Sequence, residues 1–258
     1  MEHQFREQYE YELGEYWKAI IKEDVTKGNE INKKFLPPKI RKFIWDISKV
    51  LLQDPESIPG SACRIIEQFY AEQVEKYCKC SDFYVKIQLK RKLMMDFPLT
   101  VSCAIFIAAK IVCRNARGLD IYFLIFYLAT NEIYTTPQLL IRHEFEIMRV
   151  LNFKLPLWNG LETALVIAMA ASMKELLMEV SYAMDLAEYR ASIINEEICK
   201  VSGSKSAICT ARLSAGVVVA VAEKNALNMD RVLESVSIYS SLTIDYLKLI
   251  KDIIVKYI

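Results

Sequence analysis

Apolar side chains recur every three or four residues along most of the chain, which is the spacing of one face of an α-helix. Strand-like alternation of apolar and polar residues is nearly absent. We therefore predict an all-α protein, with helices near 38–53, 59–79, 97–114, 119–130 and 136–152, then near 158–173, 174–197, 205–224, 228–237 and 239–257. The segment 80–96 between the second and third helices is predicted to be a charged connector with partial helix.

Each half of the chain contains one helix that is rich in small residues, SCAIFIAAKIVC at 102–113 and ICTARLSAGVVVAVA at 208–222. Small side chains allow neighbouring helices to approach a central helix closely. The repeated arrangement indicates a duplicated helical domain. We predict an N-terminal helical arm over 1–36, a first domain over 37–155 and a second domain over 156–258.

Four charged residues fall on the predicted apolar stripes of the first domain. In QLLIRHEFEIMRVLNF, the stripe Ile141, Met148, Leu151 is interrupted by Glu144. The other three, each in a different helix, are Arg41, Glu67 and Lys110. A single charge of this kind is typical of an edge residue that reaches solvent. Two positive and two negative charges within five helices favour one of two arrangements. Either both pairs are internal, or one pair is internal and the other lies at the rim, where it meets a partner's backbone.

Two further segments are amphipathic or basic. The N-terminal segment carries Tyr16, Trp17, Ile20 and Ile21, which either pack on the protein itself or extend onto a partner. The basic cluster LKRKLMM at 89–95 is typical of a solvated face, with nucleic acid or an import receptor as alternatives. His143 is predicted to face solvent, and we assign it no role.

Composition limits the function classes. Hydrophobic residues make up 53% of the chain, which supports a large core, and the net charge of +1 gives no overall footprint for nucleic acid, so direct binding to it is not expected. Seven cysteines without a CxxC pair, together with two histidines, argue against a zinc site, and no cofactor is expected. Reduced cysteines favour the cytosol or nucleus. The apolar windows are shorter than a membrane span, so no membrane partner is expected.

Four motifs together resemble the cyclin box. IRKFIWDI resembles its first-helix motif and places Arg41 and Asp46 at the family's arginine and aspartate. IIEQFY resembles the second-helix motif, with Glu67 at the usual aspartate. LTVSCAIFIAAK resembles the third-helix pattern, with Leu99 and Lys110 at the family's leucine and lysine. RHEFEIMRVLNFKL resembles the fifth-helix run, with Glu144 at its glutamate.

The resemblance implies two tandem five-helix cyclin folds, the match covering about 38–155 and the second half fitting the weaker second repeat. Cyclins are not enzymes: they bind a cyclin-dependent kinase and hold its regulatory C-helix inward, so that its catalytic Lys–Glu pair and activation loop are in place. The kinase-binding positions implied here are Lys110, Glu144, Ile111, Met148, Phe153 and Leu155. The positions implied to brace the cyclin box are Arg41, Asp46, Glu67 and Leu99, with Arg41 and Glu67 paired internally.

One part of the family pattern is altered. The substrate-docking patch of cyclins uses a Met, two aliphatic residues, a Trp and an acid on the first helix, where this chain has Ile40, Phe43, Ile44, Ile47 and Val50. Docking of Arg-x-Leu substrates is therefore not expected.

The resemblance favours a non-enzymatic regulatory subunit that binds and activates or directs a cyclin-dependent kinase. In its compact two-domain form the chain is most similar to small cyclin-box proteins that promote meiotic crossover formation. That similarity implies other meiotic recombination proteins as partners and a location in the nucleus, including on chromosomes, or in cytoplasm and nucleus. The alternatives are a transcription-type cyclin and a cyclin-fold scaffold that binds no kinase.

Overall fold

The computed structural model describes residues 15, 17–19, 21–25, 36–52, 57–112, 120–155, 159–203 and 208–258. Within these residues every regular element is a helix and no strand occurs, so the predicted all-α class is confirmed. By its internal contacts the chain divides into two compact units, Lys33–Leu157 and a second that joins Met1–Asn32 to Trp158–Ile258.

The unit Lys33–Leu157 contains six described helices. They are α1 (Pro38–Leu51), α2 (Ile58–Lys79), α3 (Phe83–Met95), α4 (Phe97–Val112), α5 (Ile121–Thr130) and α6 (Pro137–Val150). Five of them, all except α3, lie where helices were predicted. α1, α2 and α6 each have a proline in the first turn. A backbone N–H at this position has no acceptor within the helix, so its absence in proline costs no hydrogen bond.

α4 is the central helix of this unit. It packs against α1, α2, α3 and α6, and its Ala104, Ala108 and Ala109 are fully buried. Because these side chains are single methyl groups, the neighbouring helix backbones can come close to α4 on several sides. This is the arrangement that the small residues in 102–113 predicted.

The prediction for segment 80–96 was wrong in part, because most of it forms α3. The side chain of Asp82 caps this helix by accepting hydrogen bonds from the N–H groups of Tyr84 and Val85 at 2.8 and 3.2 Å. No residue of α3 is buried. The signal that marks the start of α3 in the sequence is therefore the Asp82 cap rather than a core-facing stripe.

After residue 158, the described part of the second unit contains six further α-helices and a short 3₁₀ helix at Lys174–Leu176. The α-helices are α7 (Gly160–Ala170), α8 (Leu177–Tyr189), α9 (Ala191–Ser202), α10 (Thr210–Lys224), α11 (Met229–Ser240) and α12 (Ile244–Ile254). The single helix predicted for 174–197 is wrong: the chain leaves helical geometry at Arg190, which separates α8 from α9. The predicted helix starts at 158 and 205 lie outside the described residues.

α10 is the central helix of the second unit, packed against α7, α8, α11 and α12. A Cβ on Gly216 would lie 2.7 Å from Ile254 Cδ1 and closer still to Ile250, so a larger residue would displace these two side chains where α12 approaches α10. The Ser214 hydroxyl donates to the Gly160 carbonyl at 3.0 Å and joins α10 to α7. Both units are thus built around a buried helix of small residues.

The N-terminal segment packs on the second unit rather than on the first. Its described residues between 15 and 25 are helical, Ile21 is buried, and the Asp24 carboxylate accepts from the Ala211 N–H at 2.8 Å. Trp17 is half-buried, while Tyr16 and Ile20 lie outside the described residues. Of the two alternatives for this segment, packing on the protein itself is the observed one.

Among the described helices, none is by itself long and apolar enough to cross a membrane, although α3 and α4, bent by 60°, pass that test on length and composition when joined.

Candidate functional site

Lys110 and Glu144, which lie 34 residues apart in sequence, form an ion pair on the surface of the first unit. The Lys110 ammonium donates to both carboxylate oxygens, at 2.6 and 2.9 Å. It also lies 4.2 Å from the centroid of the Phe106 ring, which adds a cation–π contact. The lysine side chain is 50% exposed and the glutamate side chain 18%, so both charges remain open to a partner.

The position of Glu144 follows from the faces of α6. The helix begins at Pro137, and the Thr136 hydroxyl caps it by accepting from the Leu139 N–H at 3.3 Å. The buried residues of α6 are Leu140, His143, Ile147 and Val150. The predicted buried stripe was therefore displaced by one residue, and Glu144 lies at the edge of the core rather than within it.

Apolar residues follow both members of the ion pair along the chain. Two of the implied kinase-binding residues, Ile111 and Phe153, are 41% and 57% exposed. Two others, Met148 and Leu155, are half-buried. These four apolar residues and the charged pair, Lys110 and Glu144, make up the six implied kinase-binding positions.

Sequence reasoning missed Phe145 and assigned Ile141 to the wrong face. Both are more than half exposed, at 58% and 56%, and the Phe145 ring packs edge-on against Phe153 with centroids 5.8 Å apart. Ile141, Phe145 and Met148 are separated by four and then three residues, so they lie on one face of α6. Glu144 lies on the same face. We call Lys110, Glu144, Ile111, Ile141, Phe145, Met148, Phe153 and Leu155 the α4–α6 surface.

The second predicted pair, Arg41 and Glu67, lies in the interior between α1 and α2. Arg41 Nη2 donates to Glu67 Oε1 at 2.5 Å, and the side chains are 3% and 7% exposed. The same carboxylate oxygen accepts from the Leu36 N–H at 2.9 Å, just before α1 begins. The pair therefore joins α2 to both α1 and the chain that enters it.

The other two residues expected to brace the cyclin box behave differently. Leu99 is half-buried near the start of α4. Asp46 is exposed, and its side chain makes no hydrogen bond or ion pair with any residue that the structure describes. No contact with a described residue supports the bracing role implied for Asp46, which stays a prediction.

The prediction that His143 faces solvent is wrong. His143 is 6% exposed, and its Nε2 lies 2.9 Å from the hydroxyl oxygen of Thr100 on α4. The same hydroxyl donates to the Asp96 carbonyl oxygen at 2.9 Å. The other ring nitrogen, Nδ1, lies 3.7 Å from Glu146 Oε2. In the sequence His143 stands beside the charged Glu144, which favoured an exposed position and gave no indication of this buried contact.

A thiol lies close beneath the ion pair. Burial raises the pKa of Cys103 to about 12, and the charge of Glu144 adds to that shift. Its Sγ donates to the Leu140 carbonyl at 3.6 Å. Because only the thiolate is a good nucleophile, Cys103 serves as a core residue joining α4 to α6.

A small pocket occurs at the positions of the altered docking patch. It has a volume of about 240 Å³, and its lining includes Phe43 and Ile47 from α1 and Pro98 and Ser102 from α4. Ile44, expected on the same patch, is fully buried instead.

Within the part of the chain that the structure describes, no cluster of three or more His, Cys, Asp or Glu side chains could hold a metal ion. No family model, curated protein or solved structure matches the chain.

Proposed function

We propose that this chain is a cyclin-like regulatory subunit that binds a cyclin-dependent kinase through the α4–α6 surface. In this proposal α1, α2, α4, α5 and α6 form the first five-helix cyclin fold, and α3 is an addition to it. The second fold comprises α7, the pair α8–α9, α10, α11 and α12. The N-terminal segment belongs with this second fold.

The observation that carries the proposal is the contact between Lys110 and Glu144. The motif resemblance singled out these two residues from distant helices, and they lie 2.6 Å apart at the surface. An exposed pair of this kind contributes little to stability, so stability does not account for it. A lysine ammonium and a carboxylate at one place can instead donate to and accept from the backbone of a docked helix.

The apolar residues of the α4–α6 surface supply the second support. Phe145 and Phe153 together expose an aromatic pair next to the charges. In protein interfaces, buried aromatic and aliphatic side chains provide most of the affinity, while charged groups set register and partner choice. The arrangement therefore suits an amphipathic helix such as the regulatory C-helix of a kinase.

A charge exchange at the pair tests the proposal. Full-length protein would be used to capture a panel of cyclin-dependent kinases, as wild type, as Lys110→Glu, and as Lys110→Glu/Glu144→Lys. The single variant places two carboxylates together, whereas the double variant restores an internal ion pair of reversed polarity. We expect kinase capture to fall by about tenfold or more in both, because the partner meets the wrong charge in each.

The control is a second exposed pair in the same unit, Glu75 and Lys79, whose side chains lie 2.5 Å apart on α2. The Glu75→Lys/Lys79→Glu variant should capture kinase as well as wild type does. If the double exchange at Lys110 and Glu144 binds normally, the assignment of the surface is wrong. If folded wild-type protein captures no kinase at all, the kinase-independent scaffold becomes the better hypothesis.

The finer assignments remain predictions. The role in meiotic crossover formation, the association with recombination proteins and the nuclear location rest on overall resemblance alone. A transcription-type cyclin uses the same kind of surface, and the kinases that are captured would separate the two.

A further inference from the structure

α3 is attached to the first unit by few contacts and leaves most of its surface in solvent. Its inward residues Lys86, Leu89 and Leu93 are half-buried, and its other residues are exposed. It is held by an ion pair of 2.6 Å from Lys92 to Glu146, and by the Tyr70 hydroxyl, which donates to the Leu93 carbonyl at 3.2 Å. These contacts fix the helix in place while its outer side remains open.

The outer side of α3 carries apolar residues at the spacing of a helix–helix contact. Phe83, Ile87, Lys90 and Met94 follow one another by four, three and four residues, which is the repeat of an apolar seam between two helices. Tyr84, Arg91 and Met95 form the next row. Four of the five apolar residues are about 70% exposed or more: Phe83 69%, Tyr84 77%, Met94 69% and Met95 70%. We call these seven residues the outer face of α3.

The charges of α3 are all positive. The helix contains four basic residues and no acidic one. Lys92 is paired with Glu146, and Lys86 lies 5.2 Å from the centroid of the Tyr77 ring. Lys90 and Arg91 are exposed and form no ion pair with any described residue. They lie in the middle turn of the outer face, with apolar side chains in the turns before and after them.

We propose that the outer face of α3 binds an acidic amphipathic helix of a partner protein. A carboxylate of that helix pairs with the Arg91 guanidinium, which can hold it through two parallel hydrogen bonds. Apolar side chains on either side of the carboxylate cover Phe83 and Ile87 at one end and Met94 at the other. Methionine side chains are flexible and polarizable, which suits a surface that adapts to an apolar partner.

The position of Arg91 favours a protein over an anionic membrane. Successive residues of an α-helix are rotated by 100° about its axis, so Arg91 projects between Ile87 and Tyr84. This direction is near the centre of the arc formed by the apolar residues of the outer face, rather than at its rim. A helix lying on a bilayer buries the centre of its apolar arc deepest and keeps its cations at the edges. A partner helix can place a carboxylate at that centre, whereas lipid acyl chains cannot. This inference uses no residue of the α4–α6 surface and does not depend on the proposed function.

Fluorescence anisotropy of the full-length protein with a labelled peptide tests the inference. The probe is a helical peptide of about five turns, with leucines at the seam positions and glutamates in its middle turn. We expect binding in the micromolar range, since one short helix buries a small interface. Arg91→Glu should weaken binding by about tenfold or more, and the matched change Lys49→Glu on the exposed side of α1 should leave it unchanged.

Exchange of charge gives the decisive comparison. A peptide with lysines in place of the glutamates should bind Arg91→Glu more tightly than it binds wild type. Equal binding of the first peptide to wild type and to Arg91→Glu, or no binding to either, would overturn the proposal. The proposal would also be overturned if the protein bound no peptide but sedimented with vesicles of phosphatidylserine and phosphatidylcholine, or bound a single-stranded oligonucleotide. Arg91→Glu should capture kinases as wild type does, so the two proposals can fail separately.

Discussion

Two charged pairs in the first unit differ in how much water reaches them. Arg41 and Glu67 are almost fully buried, whereas half of the Lys110 side chain is exposed. Moving a charge out of water is costly, and the cost is recovered only when its partner stays in place. The buried pair therefore matters for the folded state, and the exposed pair is available for recognition.

Arg41→Ala should lower the free energy of unfolding by about 3–5 kcal/mol, because it leaves the buried Glu67 carboxylate without its cation. Among the described residues, only the Leu36 N–H would then still donate a hydrogen bond to that carboxylate. Urea denaturation monitored by circular dichroism measures the change.

The control is the double variant Arg41→Met/Glu67→Gln, which removes both charges and keeps an amide oxygen as acceptor for Leu36. It should be clearly more stable than Arg41→Ala. Lys79→Ala at the exposed pair on α2 should leave the transition unchanged. A small effect of Arg41→Ala would mean that water reaches the pair in solution.

His143 should make the stability of the protein depend on pH. Burial lowers the pKa of His143 below its ordinary value of 6.5, and the nearby carboxylates of Glu146 and Asp96 only partly oppose the shift. As pH falls below 6.5, the unfolded chain binds a proton at this residue before the folded chain does. Stability is thus complete above that pH and is lost as the pH falls from there towards the lowered pKa.

The melting temperature of the wild type should therefore drop between about pH 7.5 and about pH 5.5. In His143→Gln the drop should be smaller, since the amide does not titrate. Differential scanning fluorimetry of both proteins measures the slopes. Equal slopes would show that other groups dominate the pH dependence in this range.

At the scale of elements, the start of α10 depends on a distant part of the chain. No side chain at its own N-cap, Cys209, accepts from the first turn. Instead, the carboxylate of Asp24 in the N-terminal segment accepts a hydrogen bond from the Ala211 N–H. A carboxylate at this end also interacts favourably with the positive end of the helix dipole.

Asp24→Ala should lower the free energy of unfolding by about 1–2 kcal/mol, because a buried N–H loses its acceptor at the end of the central helix. Asp24→Asn keeps an acceptor and should cost less. Glu196→Ala, at an exposed position on α9, is the matched loss of a carboxylate and should have no measurable effect. Similar effects of all three changes in urea denaturation would contradict the capping role.

For the whole molecule, the two units are each organised around one central helix, α4 or α10. The second unit includes the N-terminal segment, which is separated from it in sequence by the entire first unit. Its Ile21 is 1% exposed and Asp24 is 7% exposed, so the segment is part of the core of that unit.

A fragment of residues 158–258 should therefore be less stable than the same unit in the full chain. Addition of a peptide of residues 1–32 should raise its melting temperature in a concentration-dependent manner, because the peptide binds only the folded form. The same peptide with Asp24→Ala should raise it less. No response to either peptide would indicate that the second unit is complete without the N-terminal segment.

Local periodicity was sufficient to determine the helical class, the approximate positions of nine of the ten predicted helices and the two central helices, because these depend on spacing and side-chain size alone. It also singled out Arg41, Glu67, Lys110 and Glu144, since a charge on an apolar stripe stands out in sequence. It did not determine the true buried face of α6, where the apolar arc is wide and a shift by one residue reverses the roles of His143 and Glu144.

Only the tertiary structure decided which charges meet and which face solvent. The break at Arg190 has no proline or glycine to mark it, and α3 has no buried face, since its apolar residues lie mostly on its outer face. The cap of α10 by Asp24 and the contact of His143 with Thr100 join residues far apart in sequence. Such contacts depend on how helices pack against one another, and the spacing within a single helix carries no information about its neighbours.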